Sequence, residues 1–180
     1  MAFRFGIAFA SCLLLAGASG CSSRVETHIR SDGSGVAGTS TLMWQPEAED
    51  GSPDSALVRA REAVSARLQE RGFRFAGQAP VMLSVGLAER PARLAVRSGD
   101  DALSLAPKER RGLFSCRSFL TRLSVSLTDS ASGQVLYNGS AQEAHCRAEP
   151  GRLLPHLAAS ALADLAAPKG SRVAISPLPK

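Results

Sequence analysis

Hydrophobic and polar positions change period several times along the chain, and each change predicts an element. Across residues 24–30, Val25, Thr27 and Ile29 alternate with charged or polar neighbours, the two-residue period of a half-buried strand. Residues 39–44 form a second short extended candidate, bracketed by turn-rich polar stretches at 31–40 and 45–54. Leu57, Ala60, Val64 and Leu68 then share one helical face. Ser52 and Pro53 read as N-cap and first helical position, Asp54 complements the positive helix end, and Gly72 is the stop. After Pro80, Val81, Leu83, Val85 and Leu87 predict another strand, and Leu94 and Val96 a weaker one. Residues 98–112 show no period and are expected to form a long loop.

Phe119, Leu123, Val125 and Leu127 lie on one strand face, residues 129–133 (DSASG) form a turn, and Val135 and Tyr137 resume the same face, which predicts a hairpin. Pairing Thr128 with Gln134 sets Leu127 opposite Val135, Val125 opposite Tyr137 and Cys116 opposite Cys146. Directly opposed strand residues lie within disulfide reach, so this register predicts a Cys116–Cys146 bridge. Two unrelated buried thiols are the alternative. Leu154, Leu157, Ala158, Ala161, Leu162 and Leu165 predict a helix over 153–167, with Pro155 tolerated in its first turn. Pro168 and Gly170 end it, and 168–180, which holds Pro177 and Pro179, is expected to be irregular.

The first twenty residues change the picture of where the chain resides. Arg4 precedes an apolar run over 5–16 and the small residues Gly17, Ala18, Ser19 and Gly20, the layout of a secretory signal over 1–20. Ala18-Ser19-Gly20-Cys21 resembles a lipobox, in which the cysteine becomes the acylated N-terminus, although Ala18 stands where Leu is usual. The competing reading is A-x-A cleavage after Ala18. Of four cysteines Cys12 leaves with the signal; acylation of Cys21 uses another and leaves an even pair, whereas A-x-A cleavage leaves an odd count. The expected organisation is a lipidated N-terminus at 21–23, one domain over 24–167 and the tail. Ser22 rather than Asp after the cysteine points to the outer membrane, facing the periplasm.

The 180 residues are 44% hydrophobic and 21% charged, the composition of an ordinary globular domain, and about 160 mature residues suffice for one core but cramp two. Beyond the signal no apolar run reaches the length of a membrane-spanning helix, which excludes a helical channel or transporter. The expected fold is α+β: a mostly antiparallel sheet with two amphipathic helices packed on one face. The net positive charge is concentrated. Arg90, Arg93, Arg97, Lys108, Arg110, Arg111, Arg117 and Arg122 face only Asp100, Asp101 and Glu109 within their span. Arg93, Arg97, Lys108, Arg110 and Arg111 form the candidate patch for an anionic lipid or envelope-protein partner; the competing reading is a solvated loop in an arginine-rich chain.

No catalytic or metal motif emerges. His28, His145 and His156 are scattered, no HExxH, paired CxxC or G-x-S-x-G is present, and Gly33 and Gly35 read as turn glycines rather than a dinucleotide fingerprint. No cofactor is implied, and an exported chain meets no nucleic acid.

The order of features resembles the Gram-negative lipoprotein family known as domain of unknown function 4136. That pattern runs from a lipobox through two strands, the second ending near a Trp, an "AL..RGF" helix, a "P.....V" strand, a variable loop and a "V.L.D...G..VWRG.A" hairpin to a terminal helix. The corresponding segments here are Cys21, 25–29, 39–44, 63–73, 80–87, 125–141 and 154–166, with Tyr137-Asn138 in place of Trp-Arg before Gly139. The family has no established activity, so the resemblance implies location and fold and supplies no catalytic residues. The expected role is a non-catalytic envelope lipoprotein that binds or assists assembly; the runner-up is a carrier of a lipid or small apolar ligand, and an enzyme comes third.

Overall fold

The computed structural model describes residues 24–36, 40–46, 55–92, 95–98, 101–104, 119–145 and 150–177. The elements run β1 (Arg24–Asp32), β2 (Thr41–Trp44), α1 (Ser55–Glu70), β3 (Arg74–Phe75), β4 (Val81–Pro91), β5 (Ala95–Ser98), β6 (Asp101–Ser104), β7 (Phe119–Asp129), β8 (Val135–His145), α2 (Pro150–Ala161) and β9 (Gly170–Pro177). Seven strands form one sheet in the order β3-β2-β4-β7-β8-β1-β9, and β5 with β6 forms a separate hairpin. All pairings are antiparallel except those of β2 with β3 and β4. Both helices pack on one sheet face, as the alternating strands and helical stripes predict.

That face is the core. Leu42, Leu83, Leu123, Val125, Leu127, Tyr137 and Ala141 from the strands meet Ala60, Val64 and Leu68 of α1 and Leu154, Leu157, Ala158 and Ala161 of α2. Helix α1 stops because Gly72 adopts φ 88°, which lets the Phe73 N–H bond the Leu68 carbonyl at 3.1 Å and the Gly72 N–H the Gln69 carbonyl at 2.9 Å. Gly33 and Gly35 also carry positive φ, at 114° and 83°, in the turn that follows β1.

The hairpin forms, with a different register. A bulge between Leu127 and Thr128 pairs Thr128 with Val135 and Leu127 with Tyr137, so Val125 faces Gly139. The ladder is thus displaced by two residues from the register that aligned the two cysteines, and that ground for a bridge is lost. A two-residue shift preserves the inward face of β7. Val135, expected on that face, is instead exposed, whereas Tyr137 is fully buried. The turn is built by Asp129, whose carboxylate accepts the backbone N–H of Ala131 and Ser132 and the Ser132 hydroxyl.

Three further expectations are corrected. Residues 168–180 are not wholly irregular: β9 pairs with β1 over eight residues, because backbone hydrogen bonding to a central strand outweighs the flanking prolines. The predicted loop at 98–112 contains β6, paired with β5. Helix α2 begins at Pro150 and ends at Ala161, which places Pro155 beyond the first turn, where it removes one helical hydrogen bond. After Ala161 the chain tightens into turns, while Leu162 and Leu165 still bury as the helical stripe predicted.

Candidate functional site

The ladder registers bring five strand ends to one rim of the sheet. Strands β1 and β7 begin there at Arg24 and Phe119, and β4, β8 and β9 end there at Pro91, His145 and Pro177. Just inside this rim, Glu89, Thr121, Glu143 and Thr27 oppose one another across β4, β7, β8 and β1. Opposed residues share a face, so four polar side chains line the helix-covered side where the apolar core ends.

Glu143 is the centre of this row. It is 4% exposed and lies between Thr27 and Thr121, also buried. Its Oε2 has no hydrogen bond among the described residues, and His156 Nε2 of α2 stands 3.7 Å away. His156 Nε2 shares a 3.0 Å hydrogen bond with Thr27 Oγ1. On the other side, Thr121 Oγ1 donates to Glu89 Oε2 at 3.3 Å and lies 2.7 Å from His145 Nε2. One hydroxyl has one proton, so when Thr121 donates to Glu89 the proton of the second bond comes from His145 Nε2. Burial pushes the Glu143 carboxyl up to about 7 and holds the His156 imidazolium below its ordinary value. Burial thus favours the neutral form of both groups, a protonated carboxyl beside an uncharged imidazole.

A second polar cluster secures the C-terminal strand. Asp164, 6% exposed, accepts two bonds from the Arg172 guanidinium, at 2.9 and 3.2 Å, and one from Ser31 Oγ at 3.3 Å. The Ser31 hydroxyl in turn accepts the Lys169 N–H at 2.9 Å. The surface also carries two shallow concavities. In one, of about 490 Å³ beside α1, Trp44 stacks on Phe75 with ring centres 5.6 Å apart, and the Arg61 guanidinium sits 4.9 Å over the Trp44 ring. The other, of about 330 Å³, lies on the helix-free sheet face among Arg30, Arg122, Gln142 and Val173.

Cys21, Arg93, Lys108, Arg110, Arg111, Cys116 and Cys146 lie outside the described residues, and Arg97 falls on β5, where only the backbone is described. Of the histidines, His28 faces away from the core, while His145 and His156 converge on the Glu143 row. Glu143 was not singled out from the sequence. Its signal was parity: it continues the inward set of Tyr137, Gly139 and Ala141. Among the described residues no group of three or more His, Cys, Asp or Glu could hold a metal ion, and no helix is long and apolar enough to cross a membrane.

No family model and no curated protein matches the chain. Among solved structures, a PDZ domain protein from Parabacteroides distasonis aligns with a TM-score of 0.51 and 8% identity, over 84% of this chain and 38% of that one. The chain thus spans well under half the length of that protein. Two structures of the PelC dodecamer from Paraburkholderia phytofirmans align with TM-scores of 0.46 at 19% and 17% identity, covering 78% and 79% of this chain and 98% and 99% of theirs. At 8% identity the first of these likenesses concerns the fold alone.

Proposed function

We propose that this chain is a lipid-anchored accessory protein of a bacterial cell envelope, tethered through Cys21 and acting by binding rather than by catalysis. The observation that carries this reading is the position of Arg24. Strand β1 begins three positions beyond Cys21, so an acylated cysteine holds the domain at the membrane with almost no linker. The described strands of the sheet all begin at or beyond Arg24.

The same rim supports an anionic surface as the partner. Strand β4 reaches it at Pro91 and β7 leaves it at Phe119, so the basic segment between them departs from and returns to the anchored end. Arginine and lysine of that segment have the charge to pair with phosphate-bearing headgroups, and each basic residue near such a surface contributes about 1 kcal/mol. Ser22 favours the outer membrane, with the domain in the periplasm.

Labelled fatty acid supplied to cells is expected to enter the native protein and not a Cys21→Ser variant. Equal labelling of both, or labelling of neither, overturns the anchor and with it the membrane-facing assignment of the rim.

A further inference from the structure

The two edges of the sheet are unlike. Strand β3 closes one side with two residues, too short to recruit another strand. Strand β9 closes the other with eight residues in unbroken register along β1, and no described strand pairs with its outer side. Edge strands of this length are usually blunted by a lysine, an internal proline, a bulge or an inward charge. Within Gly170–Pro177 only Arg172 and Pro177 qualify; Asp164 neutralises the first, and the second is the last residue of the strand rather than an internal one. The strand also carries Val173 at 50% and Ile175 at 68% exposure on the helix-free face, the two most exposed large hydrophobics among the described residues.

We propose that β9 pairs antiparallel with β9 of a second copy about a two-fold axis through Ala174, joining two seven-stranded sheets into one. The sequence of the strand selects this occupant. A two-fold axis at Ala174 sets Val173 of each copy opposite Ile175 of the other, so all four exposed side chains meet in two cross-strand pairs. Centring on Val173 leaves Ile175 opposite Ser171, and centring on Ile175 leaves Val173 opposite Pro177; either strands an apolar side chain against a poor partner.

Charge agrees with the same register. Glu26 is opposed to Ile175 and His28 to Val173 within one chain. Across the joint each row therefore runs from Glu26 through Ile175 and Val173 to His28, and no two like charges are opposed. On the inner side Ala174 meets Ala174 and Arg172 meets Ser176, so no bulky or like-charged pair obstructs the approach. A second chain also supplies what an open edge lacks, a complementary row of backbone donors and acceptors.

Sedimentation of the purified chain over a range of concentrations is expected to give a mass approaching twice that of the monomer. The double variant Val173→Lys, Ile175→Lys is expected to sediment as a monomer with its circular dichroism unchanged, and to lose the concentration dependence of melting that association gives the parent. A second route does not depend on that variant folding. Ala174→Cys is expected to form a disulfide-linked dimer under mild oxidation, above the background of the parent chain, while Ser171→Cys, opposed to Pro177, is not. A parent chain that stays monomeric at the highest attainable concentration overturns the proposal, as does a dimer untouched by the double lysine variant. Crosslinking of Ser171→Cys in preference to Ala174→Cys overturns the register.

Discussion

Glu143 shows how one side chain couples the fold to pH. Unfolded, its carboxyl loses a proton near the ordinary 4.5; folded, burial keeps the proton on up to about 7. Between those values the native state binds more protons than the unfolded one. The stability this group confers is therefore full below about 4.5 and is lost as pH rises toward about 7. His156, held below its ordinary 6.5, acts in the opposite sense, because the native state resists the proton that the unfolded state accepts as pH falls. Glu143→Gln keeps the shape of the neutral carboxyl and removes its titration. Melting curves at about pH 5 and about pH 8 are expected to show the variant losing less stability than the parent, by roughly 1 to 3 kcal/mol. Parallel losses in the two proteins contradict this account. The inward position of Glu143 was legible from strand parity. Its neighbours were not, since Thr27 arrives on the first strand and His156 on the last helix, and no local pattern reports which distant polar groups meet.

Among the elements, the ones readable from sequence are those whose signal is local. Helix α1 declares itself by period and by a glycine that accepts left-handed geometry; nothing distant is needed. Strand β9 was unreadable for a physical reason: its apolar Val173 and Ile175 face the uncovered side while Arg172 faces inward to Asp164, inverting the usual alternation, and Pro177 closes it. The hairpin was legible as a hairpin but not in register, because a bulge obeys turn geometry and cross-strand packing together. The junction of β8 with α2 shows that packing. The Tyr137 hydroxyl donates to the Ala161 carbonyl directly over Gly139, and a β-carbon at Gly139 would fall against both groups. Gly139→Ala is expected to destabilise the protein by about 1 to 3 kcal/mol in urea titration, chiefly by prising the end of α2 from the sheet. An unchanged midpoint shows that the helix end yields freely.

For the molecule as a whole, the α+β class and the helix-covered face followed from the hydrophobic pattern, whereas the rim that gathers five strand ends did not, because it is a property of topology. That rim makes the charge prediction specific. Changing Lys108→Gln, Arg110→Gln and Arg111→Gln together is expected to weaken binding to anionic vesicles, with the loss greatest at low salt, since exposed charges are screened over about 8 Å at physiological ionic strength. Melting is expected to move little, because surface substitutions usually change stability by no more than about 0.5 kcal/mol. Equal binding by parent and variant at every salt concentration shows that the segment is only solvated.

The place of β1 in the sheet has a mechanical consequence. The strand that begins at Arg24 is not at the margin: β8 flanks it on one side and β9 on the other, both antiparallel. A pull transmitted through the residues before Arg24 and directed along the strand cannot peel it away one hydrogen bond at a time, as it would an edge strand. Both ladders are loaded in shear, and their bonds must yield together. A load reaching the domain through Arg24 therefore meets the sheet where it resists best.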